Sequence, residues 1–243
     1  MKKNILCGFF FALVCILMAS SAQAQFDRFL KNFLSLGENS RDESVTIAGL
    51  KEALTIGAGH AVAAASKDRG YFGHPVIKIP LPENLRKPAQ ALAMLGYQKQ
   101  IDDFILRMNR SAEKAAPQAK AIFINAIKQM RVRDAKNILQ GGKKAATDYF
   151  KTKTSDSIHE AFKPIISSSL SEAGATRVYK EIINKYKGLL PLSAKTPEIL
   201  DIDQYVTNRA VEGLFYLVGE EEEKIRTDPA ARVTDLLKTV FGQ

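Results

Sequence analysis

An all-α, single-domain multi-helix bundle with a C-terminal αα-hairpin is what the sequence predicts, with at most a short extended or hairpin element near residues 71–82. Three observations predict it. Apolar residues recur at spacings of three and four in nearly every segment, the repeat of a helix face rather than of a strand. Glycine, proline and capping residues punctuate those segments. Only Val76–Ile79 alternates, weakly, and Pro75, Pro80 and Pro82 flank it.

The first element is not expected to belong to the fold. Lys2 and Lys3 precede an apolar run from Ile5 to Met18, and Ala22-Gln23-Ala24 follows. That is the pattern of a secretory signal, with cleavage expected after Ala24. The apolar run is short for a membrane span, which leaves a retained N-terminal anchor as the lesser alternative. Val14 stands where a lipoprotein signal would need a small residue before Cys15. Residues 1–24 are therefore assigned to the signal and 25–243 to one α-helical domain, with no transmembrane segment in the mature chain. Localisation is expected to be periplasmic or secreted.

Both cysteines, Cys7 and Cys15, fall in the signal. A mature chain without them has no disulfide, no cysteine nucleophile and no thiolate metal ligand. Losing Lys2 and Lys3 lowers the formal charge from +9 to +7. The positive residues are spread along the chain, which fits a soluble basic protein; anionic partners are the alternative reading of the charge.

Helices are expected along the rest of the chain. Phe26, Phe29, Leu30, Phe33 and Leu34 give a short amphipathic segment ending at Gly37, suited to docking on the body or to an interface. Ser40 can cap a helix carrying Ile47, Leu50, Leu54, Ala58, Ala61, Val62 and Ala65. A flexible bend at Gly57–Gly59 is its alternative. After the extended connection, a helix over Glu83–Leu95 opens behind Pro82 and stops at Gly96. Ile101–Met130 is the longest periodic run, about 45 Å as one helix, and it is expected to be the element the others pack around. Pro117 predicts a kink or a fresh start within it.

Asp134 can cap a short helix Ala135–Leu139, ended by Gly141-Gly142. A further helix is expected from about Ser155, broken or kinked at Pro164, and Gly174 separates it from a helix bearing Val178, Ile182, Ile183 and Tyr186. The loop-like stretch from Gly188 precedes the C-terminal pair. Asp203 is expected to cap one helix there, with Val206, Ala210, Leu214, Leu217, Val218 and Ile225 on a face, and Pro229 to open the second. Glu220–Glu223 between them reads as a solvated acidic turn paired with Lys224 and Arg226, rather than as a metal site.

Several phrases recur together: GLKEAL at Gly49–Leu54, Gly70-Tyr71 through IPLP, RMNRSAEKA at Arg107–Ala115, DAKNILQGGKKAATDYF at Asp134–Phe150, DIDQYVTNRAVEGLF and IRTDPAARVTDLLKTVFG. On these the chain resembles the bacterial domain of unknown function 4197 family over nearly the whole mature length. Ser111 stands where the family phrase more often has alanine. The resemblance implies an exported, helical, single-domain protein, and it carries no cofactor or catalytic residue.

The chemistry legible in the residues is sparse. His60, His74 and His159 include no pair at helical metal-site spacing. No nucleophile elbow, phosphate-binding loop or dinucleotide fingerprint is present. There is no tryptophan, and aromatics do not alternate with basic residues as in single-strand nucleic-acid binders. No metal, cofactor or nucleic acid is expected. One row is unusual: Asp102, Asn109 and Glu113, seven and four residues apart, lie within about 20° of the Asp102 direction, on the edge of the apolar stripe. With Arg110 beside them they are the candidate site, either an acid–base pair of carboxylates or ligand-binding groups (Asn109, Arg110, Glu113). A solvated flank and a structural network are the competing readings. The favoured function is a non-catalytic helical binding or scaffold protein of the envelope, with a groove along Ile101–Met130 for a peptide, lipid or envelope protein partner. The alternatives are a hydrolase or acid–base enzyme using that row and, more weakly, peripheral membrane association through Phe26–Leu34.

Overall fold

The computed structural model describes residues 40–189 and 201–227. The signal, the Phe26–Leu34 segment, the stretch from 190 to 200 and the helix expected from Pro229 lie outside the described residues. The chain divides into two compact units, Met1–Thr46 and Ile47–Gln243, and the second holds the helical bundle.

The bundle is all-α, with no strand among the described residues. The helices are α1 (Ser40–Ser66), α2 (Glu83–Leu92), α3 (Gln98–Ala115), α4 (Ala119–Lys128), α5 (Val132–Gln140), α6 (Ala145–Glu172), α7 (Ala175–Leu189) and α8 (Ile202–Thr227). A wide π turn, Ala93–Tyr97, joins α2 to α3, and Gly96 there takes a left-handed φ of 88° that a side chain would disfavour. A 3₁₀ turn, Ala116–Gln118, joins α3 to α4 at Pro117, as the proline predicts. The helix expected from Ser40 is continuous through Gly57–Gly59, and the alternative of a bend there is not taken.

Ile101–Met130 is not the centre of the bundle, because Pro117 divides it into two shorter pieces. That place belongs to α6, which packs against α3, α4, α5, α7 and, most extensively, α8. Its stripe of Phe150, Ile158, Phe162, Ile166 and Leu170 is fully buried. The helix starts ten residues before the expected Ser155 and runs unbroken through Pro164. Pro164 and Glu160, four residues earlier, are both exposed, so the carbonyl that loses its donor faces solvent and the break is avoided.

Both ends of α6 are closed by charges from other helices. At its N-terminus Glu222 of α8 accepts the N–H groups of Ala146 (3.0 Å) and Thr147 (2.8 Å) and the Thr147 hydroxyl (2.7 Å). At its C-terminus the Arg107 guanidinium of α3 donates to the Ala173 carbonyl, beside Gly174 at φ 69°. An anion at the first turn and a cation at the last both oppose the helix dipole. Glu220–Glu223 is thus a helical stretch and not a solvated turn: Glu222 is buried, while Glu221 pairs with Lys224 at 2.6 Å. Arg226 holds Glu222 at 2.8 Å and also donates to the Ile138 carbonyl near the end of α5.

Two caps differ from expectation by register. Asp201, not Asp203, caps α8 by accepting the Gln204 N–H, and Asp203 instead meets Ser167 of α6. Asp134 lies in the third position of α5 and reaches back to the Arg131 N–H at 3.1 Å.

The 71–82 connection is a series of turns and extended chain laid on α3 and α8. Gly213 permits the close approach: a Cβ there would lie 2.8 Å from Tyr71 Cε1 and 3.0 Å from Ile77 Cβ. Alanine at a helix interior gains about 1 kcal/mol of propensity over glycine. Overpacking a filled contact costs about 1–3 kcal/mol. Gly213→Ala is therefore expected to lower the melting temperature despite its better helix propensity; a raised melting temperature would show that the contact has slack.

Candidate functional site

The row Asp102, Asn109, Glu113 does not stay together. Asp102 is exposed and, among the described residues, accepts only from Gln98, 2.8 Å away on its own helix. Asn109 is fully buried and acts as a strand would. Its Oδ1 accepts the Ile79 N–H at 2.8 Å, and its Nδ2 donates to the Ile79 carbonyl at 2.9 Å and to Ile105 O at 2.8 Å. Glu113, 5% exposed, accepts the N–H groups of Tyr71 and Phe72 on Oε1, each at 3.0 Å. Its Oε2 faces Arg110 at 2.9 Å, and Arg110 also binds Asp68. These bonds push the Arg110 guanidinium up from its usual range, the Asp68 bond contributing most.

Tyr71 is part of the same clamp. Its hydroxyl donates to the Ala210 carbonyl at 2.6 Å. Burial first, and then the nearby Glu113 charge, push its phenol far up, so it remains a donor. Asn109, Glu113 and Tyr71 therefore spend their polar atoms on fastening the 71–82 connection between α3 and α8. Buried polar groups satisfied in this way hold backbone in place.

The three histidines lie apart. His60 Nδ1 is 3.2 Å from Glu221, and His159 bonds Gln204 and Asn208. His74 Nδ1 accepts the Val76 and Ile77 N–H groups, which places its proton on Nε2. No group of three or more His, Cys, Asp or Glu suited to a metal occurs among the described residues.

A cleft with a volume of about 540 Å³ lies elsewhere, between α4, α5 and α6. Arg131, Arg133 and Lys153 line it, and none of the three pairs with an acidic side chain among the described residues. Its single carboxylate, Asp134, is turned to the Arg131 N–H. Asn125, Gln129 and Ser157 add neutral polar groups. Tyr149 closes one side, donating to the Ala126 carbonyl at 2.9 Å; burial and the Asp134 charge push its phenol up.

Sequence reasoning misses this cleft when its cations are read as spread along the chain. A signal is available. Between Lys128 and Lys153 there are eight Lys and Arg against two Asp, so six of the formal +9 charges fall in that short stretch. Of the expected groove along Ile101–Met130, only the second half takes part, through Ile122, Asn125, Ala126 and Gln129.

No helix of the described residues is long and apolar enough to cross a membrane. The family model described as "Protein of unknown function (DUF4197)" matches residues 40–242. No curated protein and no solved structure matches the chain.

Proposed function

Since the chain belongs to the DUF4197 family, whose description names no activity, we propose its function from its own geometry: an exported, non-catalytic helical protein that binds a polar anionic ligand in the cleft between α4, α5 and α6. The cleft carries this reading. Its volume of about 540 Å³ falls within the usual size of small-ligand sites, about 300–1,000 Å³. Its three cations have no ion pair with an acidic side chain among the described residues, whereas the buried polar groups of α3 are consumed by the fold. A polar lining favours a polar ligand over an acyl chain or the apolar face of a partner helix. The acid–base alternative on Asp102, Asn109 and Glu113 gains no support from their surroundings.

The test is a set of ¹H–¹⁵N spectra of the labelled protein, titrated with small anions (phosphate esters, di- and tricarboxylates, sulfated sugars) and with neutral analogues. Saturable shifts confined to Asn125, Gln129, Arg131, Arg133 and Lys153 are expected from at least one anion class. They should vanish in Arg131→Gln/Arg133→Gln/Lys153→Gln at an unchanged melting temperature. Weak shifts spread over all surface lysines, with no saturation, would remove the reading. Export rests on Met1–Ala24 and is checked separately: the mature protein should begin at Gln25, and a chain that retains Met1 in the cytoplasm contradicts it.

A further inference from the structure

We infer that the ligand of this cleft is a phosphomonoester of a sugar or polyol; the inference rests on the binding reading above and narrows it. Two observations carry it. The lining bears three cations and one carboxylate, a net charge matched by a dianion rather than by a single carboxylate. A phosphomonoester carries about −1.5 to −2 near neutral pH. Two of the cations are arginines, two residues apart on the rim, and a guanidinium fork fits the oxygens of a phosphate in pairs.

The rest of the cleft answers to the other half of such a molecule. Its volume far exceeds what one phosphate group fills, so an organic part is accommodated as well. Asp134 uses Oδ2 on the backbone and keeps Oδ1 as an acceptor, while Asn125, Gln129 and Ser157 both donate and accept. Hydroxyl groups are the partners such a lining takes; an alkyl chain would leave these polar groups unpaired. The surplus of positive charge from Lys128 to Lys153 extends the attraction beyond the lining itself and would speed capture.

The deciding experiment titrates the labelled protein with glucose 6-phosphate, inorganic phosphate, glucose and malate, the last a hydroxylated dianion without phosphorus. Glucose 6-phosphate is expected to bind at the cleft roughly tenfold tighter than malate or inorganic phosphate, with glucose silent. Arg131→Gln/Arg133→Gln should weaken glucose 6-phosphate roughly tenfold or more at an unchanged melting temperature. Asp134→Asn should narrow the gap between glucose 6-phosphate and inorganic phosphate. If malate binds the cleft as tightly as glucose 6-phosphate, the phosphomonoester assignment is overturned while the binding reading stands. If none of these probes gives saturable shifts there and the wider anion set also fails, both are overturned. Mixed phosphatidylcholine–phosphatidic acid vesicles form the lipid arm. Arginine-dependent co-sedimentation with them, in the absence of glucose 6-phosphate binding, would assign the same headgroup chemistry to a membrane and overturn the soluble ligand.

Discussion

Replacing Glu222 with alanine is expected to destabilise the protein by about 3–5 kcal/mol, the range for removing one partner of a buried ion pair. The loss has several parts. The N–H groups of Ala146 and Thr147 and the Thr147 hydroxyl lose their acceptor at the start of α6. Arg226 keeps the Ile138 carbonyl but loses its 2.8 Å pairing with the Glu222 carboxylate. The positive end of the α6 dipole loses its neutralising charge. Glu222→Gln keeps an acceptor oxygen and should lose less, which separates the hydrogen bonds from the charge. Urea denaturation reads the effect as a lower midpoint at constant slope. A shift worth less than about 1 kcal/mol would show that water or another group caps α6 in place of Glu222.

Glu113→Ala is the second large effect, expected at about 2–4 kcal/mol, since two backbone donors lose their acceptor. Tyr71 is fully buried, so its N–H has little recourse to water, while Phe72 is half-buried. Arg110 contributes less to the loss, because it is 41% exposed and keeps Asp68. The local signature is specific: amide exchange should rise from Tyr71 to Ile79 before it rises in α6. Asp102→Ala, on the same helix edge, should stay within about 0.5 kcal/mol of the parent. Equal losses at Asp102 and Glu113 would be inconsistent with a clamp confined to the 71–82 connection.

The contrast between Asp102 and Glu113 shows what periodicity conveys and what it does not. Spacing places Asp102, Asn109 and Glu113 at one angle around α3. It says nothing of what lies over each turn. Asp102 sits about 10 Å along the axis from Asn109, and the connection crosses only the turns of Asn109 and Glu113. The stripes of α1 and α8 are legible because burial from Leu50 to Ala65 and from Ile202 to Ile225 follows a helical period. Pro164 does not break α6: it and Glu160 are exposed, so solvent can take up the carbonyl that lost its donor. Glu222 is hidden by its neighbours in a run of acids, though it falls on the apolar stripe, four residues after Val218 and three before Ile225. A carboxylate at such a position signals a buried partner, but the partner is the start of a helix more than seventy residues away. The cleft is least legible of all: it exists only once α4, α5 and α6 are placed, and open space has no period.

The way the 71–82 connection is fastened bears on self-association. Extended chain at a protein surface normally offers a row of free backbone donors to which another copy can add a strand. Here each N–H from Val76 to Ile79 already has an acceptor: His74 Nδ1 for Val76 and Ile77, the His74 carbonyl for Lys78 and Asn109 for Ile79. Pro80 and Pro82 have none to give, and the Pro80 carbonyl is taken by Tyr205. The one stretch of the described chain with β-like composition is thereby closed to edge-to-edge addition, by one imidazole, one amide and two prolines.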